Sequence, residues 1–223
     1  MNLTKILATT TLALIIGNAS DIDMPEMTTD FHCGSIKEMD RIIDARTTAS
    51  DVYMVSRLVD IYPNTIEDKR KIVSSVIKYS EKYNIDALTL AAVLAKESSM
   101  NRYAKHSPVI VKIPLKKNWT KIGTKKVQAV GMGGVIFEIW KYELNEIGIK
   151  NRKDLCTIEN NIKATAKILS IYLHERKQIK GTASKEESAL LRYYGVIRDK
   201  RGAPVKTYSA QVYKIAKKIK KDS

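Results

Sequence analysis

Glu97 is the residue of this chain whose type and position best suit acid–base chemistry. It lies in the segment LAKESSM and shares one helical stripe with Leu90, Val93 and Leu94, at the spacing i, i+3, i+4, i+7. A carboxyl group held against apolar side chains loses solvation in its charged form, so its pKa rises above the usual value of about 4.3. Such a group stays protonated near neutral pH and can donate a proton to a leaving group. A glutamate at an exposed helix end would produce the same spacing.

Other reactive arrangements have weaker support in this sequence. The histidines His32, His106 and His174 are scattered, and neither a CxxC nor an HExxH motif is present. The GMGG segment at 131–134 lacks the Lys-Ser/Thr of a phosphate-binding loop, so it predicts a tight turn that enters a helix. The sequence therefore predicts no metal site and no cofactor.

Positive charge is concentrated in the part of the chain that follows Glu97. The 223 residues carry a formal net charge of +15, and no Asp or Glu occurs between Glu97 and Glu138. The basic residues of this interval are Arg102, Lys105, Lys112, Lys116, Lys117, Lys121, Lys125 and Lys126. The pattern predicts either a solvated lysine-rich loop or a positive rim beside Glu97, and the net charge favours a polyanionic partner.

The first residues have the layout of a secretory signal. MNLTKILATTTLALIIGNAS combines one lysine, an apolar stretch and small residues at Gly17 and Ala19, which predicts a signal peptide over 1–19 and a periplasmic or secreted protein. A short buried helix is the alternative. No apolar span reaches the roughly 18 residues of a membrane helix, so no stable membrane insertion is predicted. Export also argues against nucleic acid as the polyanion.

The two cysteines allow one disulfide in an exported protein. Cys33 and Cys156 would close a loop of more than a hundred residues, stabilising the fold by up to about 4–5 kcal/mol in the chain-entropy model. Two unconnected thiols are the alternative, and the sequence leaves both open.

The elements that must position Glu97 are predicted to be mainly helices. Residues 20–64 form an N-terminal helical segment, and 65–221 form one domain with a small irregular or β patch within 101–130. Thr65 and Asp86 are the predicted N-caps of the two helices that lead to Glu97. Further helices are predicted in the segments VIFEIWKYELNEIG, TIENNIKATAKILSIYLHERK, SKEESALLRYYG and TYSAQVYKIAKKIKK.

Five segments in order resemble the lytic transglycosylase domain of the soluble lytic transglycosylase type. YNIDALTLAAVLAKESSMNRYA resembles its opening helix, which ends in Glu-Ser, and AVGMGGVI resembles its Gly-Leu-Met-Gln-Ile segment. IENNIKATAKIL, ALLRYYG and TYSAQVYKI resemble its Asn-Ile helix, its Tyr-Asn-x-Gly segment and its closing Tyr-x-x-x-Val helix. The resemblance covers about residues 70–217 and implies a mainly α, lysozyme-like (α+β) fold.

The resemblance also implies a substrate and roles for individual residues. It makes peptidoglycan glycan strands the substrate, Glu97 the catalytic acid, and Tyr193 the tyrosine that reaches toward the catalytic carboxyl. The positions that it assigns to substrate binding are Ser98, His106, Ser107, Gly131, Met132, Gly133, Gly134, Asn161 and Tyr193. Gly133 and Gly134 stand where the family has Met and Gln, and Tyr194 stands where it has Asn.

The implied reaction uses one carboxyl twice. Glu97 would protonate the bond between N-acetylmuramic acid and N-acetylglucosamine, then accept the proton of the muramic C6 hydroxyl as a 1,6-anhydro ring closes. A lysozyme-type muramidase is the alternative, and it would need a second carboxylate from Glu138, Glu143 or Asp154. A catalytically weakened wall-binding component of a secretion or conjugation apparatus is a further alternative, prompted by Gly133, Gly134 and Tyr194.

Overall fold

The computed structural model describes residues 48–115, 121–174 and 177–221. The helices are α1 (Ala49–Asp60), α2 (Ile66–Tyr83), α3 (Ala87–Ser98), α4 (Phe137–Glu146), α5 (Ile158–His174), α6 (Lys185–Tyr194) and α7 (Thr207–Lys221). Two strands, β1 (Val109–Pro114) and β2 (Ile122–Val127), lie between α3 and α4, and a short 3₁₀ helix spans Arg152–Cys156. The predicted mainly α fold with a small β patch is confirmed.

Local capping explains where the helices around the site begin. The Thr65 side chain accepts a hydrogen bond from the Asp68 amide at the start of α2, and the Asp86 carboxylate accepts one from the Thr89 amide at the start of α3. Both residues are the predicted N-caps. α2 ends at Asn84, whose φ of 52° lies in the left-handed region that often terminates helices.

The central helix of the domain is α3. Every residue from Ala87 to Ala95 is buried, which an α-helix achieves only when neighbours cover it on all sides. Contacts with α1, α2, α5 and α7 supply this cover. Because Val55, Leu58 and Val59 of α1 are fully buried in the same core, α1 is an integral part of the packing around α3.

The two strands form an antiparallel hairpin that packs on α4. Val109 pairs with Val127 and Val111 with Lys125, and Val111 and Val127 are buried beside Ile136 at the start of α4. The Tyr142 hydroxyl of α4 also donates to the carbonyl of Leu115 at the end of β1. One face of the hairpin is thus used for packing.

Some sequence predictions concern residues outside the described ranges. The signal peptide over 1–19 and Cys33 lie there. Cys156 is exposed at the end of the 3₁₀ helix, and its pairing with Cys33 stays a prediction. The boundary at residues 64 and 65 also stays a prediction. Within the described ranges, no helix combines the length and the apolar character that crossing a membrane requires.

Candidate active site

Glu97 lies in the last turn of α3, where the buried helix reaches the surface. Leu90 and Leu94, on the same stripe, are completely buried, whereas Glu97 keeps a partly exposed side chain. The chain reverses directly after the helix because Ser99 and Met100 both adopt positive φ, at 53° and 57°. Two successive non-glycine residues in this region are uncommon and require support from the surroundings. Burial of the Met100 side chain supplies part of that support.

The Glu97 carboxyl group is contacted on both oxygens. The Tyr208 hydroxyl, from the first turn of α7, donates a 2.6 Å hydrogen bond to Oε1. Oε2 lies against the turn formed by 131–134, because a Cβ atom added to Gly134 would be only 2.9 Å from it. The same Cβ would lie 3.2 Å from His106 Cε1. The carboxyl group is therefore fixed between α7 on one side and this turn on the other.

Burial raises the pKa of Glu97 to about 7. The hydrogen bond from Tyr208 and the positive charge of Lys96 act in the opposite direction and limit the rise. A carboxyl group with this pKa is partly protonated at neutral pH, so it can both donate and accept a proton there. The carboxyl group at the end of the apolar stripe thus has the pKa that a general acid needs near neutral pH.

Tyr208 is a site residue that the sequence did not identify. Its ring is 4% exposed and stacks on Tyr194, with ring centroids 4.6 Å apart. Burial and the negative charge of Glu97 raise the pKa of Tyr208, so the phenol remains a hydrogen-bond donor. The buried pair Tyr208 and Val212 in the closing Tyr-x-x-x-Val segment was the available signal, but nothing in the sequence indicated its distance from Glu97.

Tyr193, the tyrosine expected to reach toward the carboxyl group, is close enough for the negative charge of Glu97 to raise its pKa, but its hydroxyl bonds to the 131–134 turn. The Tyr193 hydroxyl donates a 2.5 Å hydrogen bond to the carbonyl of Gly133 and lies 3.4 Å from Thr165 Oγ1. Tyr193 precedes the end of α6, which brings its hydroxyl under the 131–134 turn rather than to the carboxyl group. Tyr193 therefore supports the turn that packs on Glu97.

Asn161 holds the 131–134 turn in place from α5. Its Nδ2 donates to the carbonyls of Val130 and Leu155, and its Oδ1 accepts from the amide of Gly133, all within 2.9 Å. The side chain is 2% exposed, so these bonds replace water completely. Asn161 was expected to bind substrate, but its burial assigns it to the support of the turn.

Positions 131 and 133 of this turn require glycine because neighbouring groups fill the space of a side chain. At Gly131 an added Cβ would lie 2.3 Å from the Asn161 amide nitrogen, and at Gly133 it would lie 1.8 Å from Thr165 Oγ1. The His106 ring donates from Nε2 to the Gly131 carbonyl at 3.0 Å, which ties the turn to the loop after α3.

Met132 was also expected to bind substrate. Its side chain is fully buried in the main core, so a direct contact with substrate is excluded.

The two serines near Glu97 differ in position. The Ser98 hydroxyl donates to the carbonyl of Leu94 within α3. Ser107 is exposed beyond His106. His106, which was also expected to bind substrate, contacts the turn beside Glu97.

A hydrolytic mechanism would need a second carboxylate, from Glu138, Glu143 or Asp154. None of these three groups shifts the pKa of Glu97. Glu138 Oε1 lies 4.0 Å from Lys125 Nζ, and Asp154 accepts hydrogen bonds from the amides of Lys150 and Asn151. Glu143 lies further along α4 than Glu138. Within the described ranges, the groups that shift the pKa of Glu97 by charge or hydrogen bonding are Tyr208 and Lys96.

Comparison with known proteins gives one match. A family model described as "Transglycosylase SLT domain" matches residues 74–222, well over half of the chain. The matched range contains Glu97, the 131–134 turn, Asn161, Tyr193 and Tyr208. Neither the curated proteins nor the solved structures provide a significant match.

Proposed function

The chain belongs to the transglycosylase SLT family, and on that premise we propose that it is a peptidoglycan lytic transglycosylase with Glu97 as its single catalytic acid and base. An activity of the lytic transglycosylase type on peptidoglycan follows from the family. The observation that carries the finer proposal is the Glu97 carboxyl group, which has a pKa of about 7 and a hydrogen bond from Tyr208.

The first step requires the protonated form of Glu97. Because Tyr208 donates to Oε1, the acidic proton is best carried by Oε2. Its transfer to the glycosidic oxygen between N-acetylmuramic acid and N-acetylglucosamine breaks the C1–O bond, and the bonding electron pair leaves with that oxygen. Tyr208 then stabilises the carboxylate that is formed.

The second step uses the same carboxylate as a base. It accepts the proton of the muramic C6 hydroxyl while O6 forms a bond to C1, which closes the 1,6-anhydro ring and restores the protonated acid. No water is consumed, so no second carboxylate is needed to activate one. The different engagements of Glu138 and Asp154 support this route over a lysozyme-type hydrolysis.

The partly exposed groups around Glu97 are proposed to contact the glycan. They are His106 and the backbone of Gly134, both beside Oε2. Gly131, Gly133, Asn161 and Tyr193 act indirectly, by holding the turn. Ser98 and Ser107 remain predicted contacts. The positive charge between Glu97 and Glu138 is proposed to favour encounter with the carboxylates of the peptide stems.

Export to the periplasm or cell exterior is proposed because the substrate lies there and residues 1–19 resemble a signal peptide. The intact mass of the exported protein tests this proposal, since cleavage before Ser20 removes a defined set of residues. A role beside a secretion or conjugation apparatus stays a prediction from the sequence.

Digestion of purified sacculi by wild-type protein and by Glu97→Gln tests the function. We expect wild type to release anhydro-muropeptides, identified by mass spectrometry, and Glu97→Gln to lower the rate at least a thousandfold, on the order of the loss of an essential catalytic group. Products with reducing ends would instead identify a muramidase. Absence of products from wild type across pH and salt would support the wall-binding alternative, and wild-type rates in Glu97→Gln would remove Glu97 from catalysis.

A stability measurement on the same pair controls for folding. The folded-state pKa of Glu97 is about 7, above the unfolded value of about 4.3, so wild type loses stability as pH rises through this window. Glutamine keeps the shape and the acceptor for Tyr208 without a charge. We therefore expect Glu97→Gln to exceed wild type in unfolding free energy by about 1–3 kcal/mol at pH 8, with the difference vanishing below pH 4.

A further inference from the structure

The β1–β2 hairpin has an outer face that points away from α4. In the antiparallel register, Ile110 pairs with Lys126 and Lys112 with Thr124, and these four side chains alternate with those that pack on α4. Ile122 continues the same face at the start of β2. We use the term outer face for Ile110, Lys112, Ile122, Thr124 and Lys126, all of which are exposed.

Aliphatic exposure on this face is high for a solvated hairpin. Ile110 is 76% exposed and Ile122 is 44% exposed. On the opposite face, Val111 and Val127 are only 3% and 4% exposed. The hairpin thus buries one set of aliphatic residues against α4 and exposes Ile110 and Ile122 on the outer face, on either side of the Lys112–Thr124 pair.

The charge on the outer face is positive. Lys112 and Lys126 point outward beside Ile110 and, within the described residues, form no ion pair. Lys125, on the other face, lies 4.0 Å from Glu138, so the available carboxylate is on the packed side. The sequence has no acidic residue between Glu97 and Glu138, so no carboxylate of the hairpin itself offsets these lysines.

We propose that the outer face of the hairpin docks reversibly on an anionic phospholipid surface. Aliphatic side chains enter the boundary between headgroups and acyl chains, while the neighbouring lysines remain among the phosphates. A fully polar polyanion would pair with the lysines and leave Ile110 and Ile122 in water. An apolar protein groove would accept the isoleucines and bury the lysines without partners.

The structure of the hairpin suits this role. Its strands hydrogen-bond to each other over six residue pairs, which reduces the number of backbone groups that lose water on contact with lipid. The Tyr142 hydroxyl ties the end of β1 to α4, so the outer face is held on a fixed support. Docking goes beyond glycan cleavage, since it would place the enzyme at the membrane-facing side of its substrate.

Vesicle flotation tests the proposal with the exported protein. Vesicles of phosphatidylcholine alone are compared with vesicles that also contain phosphatidylglycerol. We expect binding only with phosphatidylglycerol. Lys112→Gln combined with Lys126→Gln should weaken it about tenfold or more, since each lysine near an anionic surface contributes appreciably. Ile110→Ser combined with Ile122→Ser should weaken it about fivefold or more by removing aliphatic contact.

Matched control variants separate the outer face from general charge and hydrophobicity. Lys214→Gln combined with Lys218→Gln removes two exposed lysines from α7, and Ile66→Ser removes an isoleucine of 61% exposure from α2. Both controls should bind vesicles as wild type does. All variants should retain the melting temperature of wild type, because every changed side chain is exposed.

Several outcomes would overturn the proposal. Equal binding to neutral vesicles, or an equal loss in the control variants, would assign binding to something other than the outer face. If the isoleucine variant bound vesicles with unchanged affinity, the isoleucines would not enter lipid, and the face would bind through its charge alone. Loss of sacculus binding without loss of vesicle binding would assign the face to the wall. The same measurements on Glu97→Gln, which should bind vesicles like wild type, separate this test from that of catalysis.

Discussion

The Glu97 carboxyl group is subject to two opposing influences on its acidity. Burial at the end of α3 raises its pKa, and the hydrogen bond from Tyr208 lowers it, with a net value of about 7. Without the hydrogen bond the pKa would be higher still, and without burial the carboxyl group would be ionised at neutral pH. Tyr208 therefore both orients the carboxyl group and sets its acidity.

Replacement of this tyrosine tests its effect on acidity. Tyr208→Phe removes a hydrogen bond to a charged group, of the kind that contributes about 1.5–3 kcal/mol, so the pKa of Glu97 should rise by about one unit or more. Because the proposed reaction starts from the protonated form, the alkaline limb of the pH–rate profile should move to higher pH, and the rate at pH 7 should fall as orientation is lost. The measurement is the sacculus digestion rate across pH.

Tyr213→Phe provides the matched control for that experiment. It makes the same substitution on the same helix, at a residue whose pKa is raised by burial and is not affected by Glu97. Its pH–rate profile should overlay that of wild type. An alkaline limb in Tyr208→Phe that stays at the wild-type position would show that Tyr208 does not control the acidity of Glu97.

At the scale of elements, the site depends on close packing between the 131–134 turn and α5. Thr165 of α5 fills the space in which a side chain at position 133 would lie, and Asn161 of α5 binds the backbone of the turn. The glycine at position 133, which departs from the family pattern, is thus matched by the threonine opposite. Local packing thus accounts for a glycine at position 133.

A pair of substitutions measures this packing. Gly133→Ala places a Cβ atom 1.8 Å from Thr165 Oγ1, so the turn or α5 must shift. We expect a loss of about 1–3 kcal/mol in unfolding free energy, typical of overpacking, together with reduced sacculus digestion. Adding Thr165→Ala removes the clashing oxygen and should restore part of both quantities.

The control for the pair is Gly148→Ala, at a glycine with positive φ and no atom within 4 Å of an added Cβ. Gly148→Ala should lower the unfolding free energy through backbone strain, so adding Thr165→Ala should not restore it. Equal effects of Thr165→Ala in both backgrounds would contradict a specific contact between positions 133 and 165.

For the whole molecule, stability depends on a core that α1 shares with α3. Val55, Leu58 and Val59 are each fully buried against the elements that surround α3. Burial of three such side chains contributes about 5–8 kcal/mol, which is comparable to the total stability of a domain. The family match begins at residue 74, within α2, so the match alone does not reveal this requirement.

Two shortened chains test the role of α1. A chain that starts at Thr48 keeps α1 with its N-cap, and we expect it to unfold cooperatively on heating. A chain that starts at Thr65 lacks α1 and should unfold without a cooperative transition, because α3 loses part of its cover. Circular dichroism during heating provides the measurement. Equal melting temperatures for the two chains would support the predicted boundary after residue 64.

Features that depend on neighbours in sequence were determined by the sequence itself. The N-caps at Thr65 and Asp86, the helical segments and the hairpin follow from local hydrogen bonding and from hydrophobic periodicity. The position of Glu97 on an apolar stripe is of the same kind, because four residues within two helical turns define it. The ordered segments also identified the family.

Features that depend on contacts between distant segments were decided by the tertiary structure alone. Tyr208 is 111 positions from Glu97 in the chain, yet it donates the hydrogen bond to the carboxyl group. Asn161, expected at the substrate, is a buried support of the turn, and the Met132 side chain is buried in the main core. The physical reason is that helix orientation selects which of several suitable side chains reaches the carboxyl group, and packing of the whole core determines that orientation.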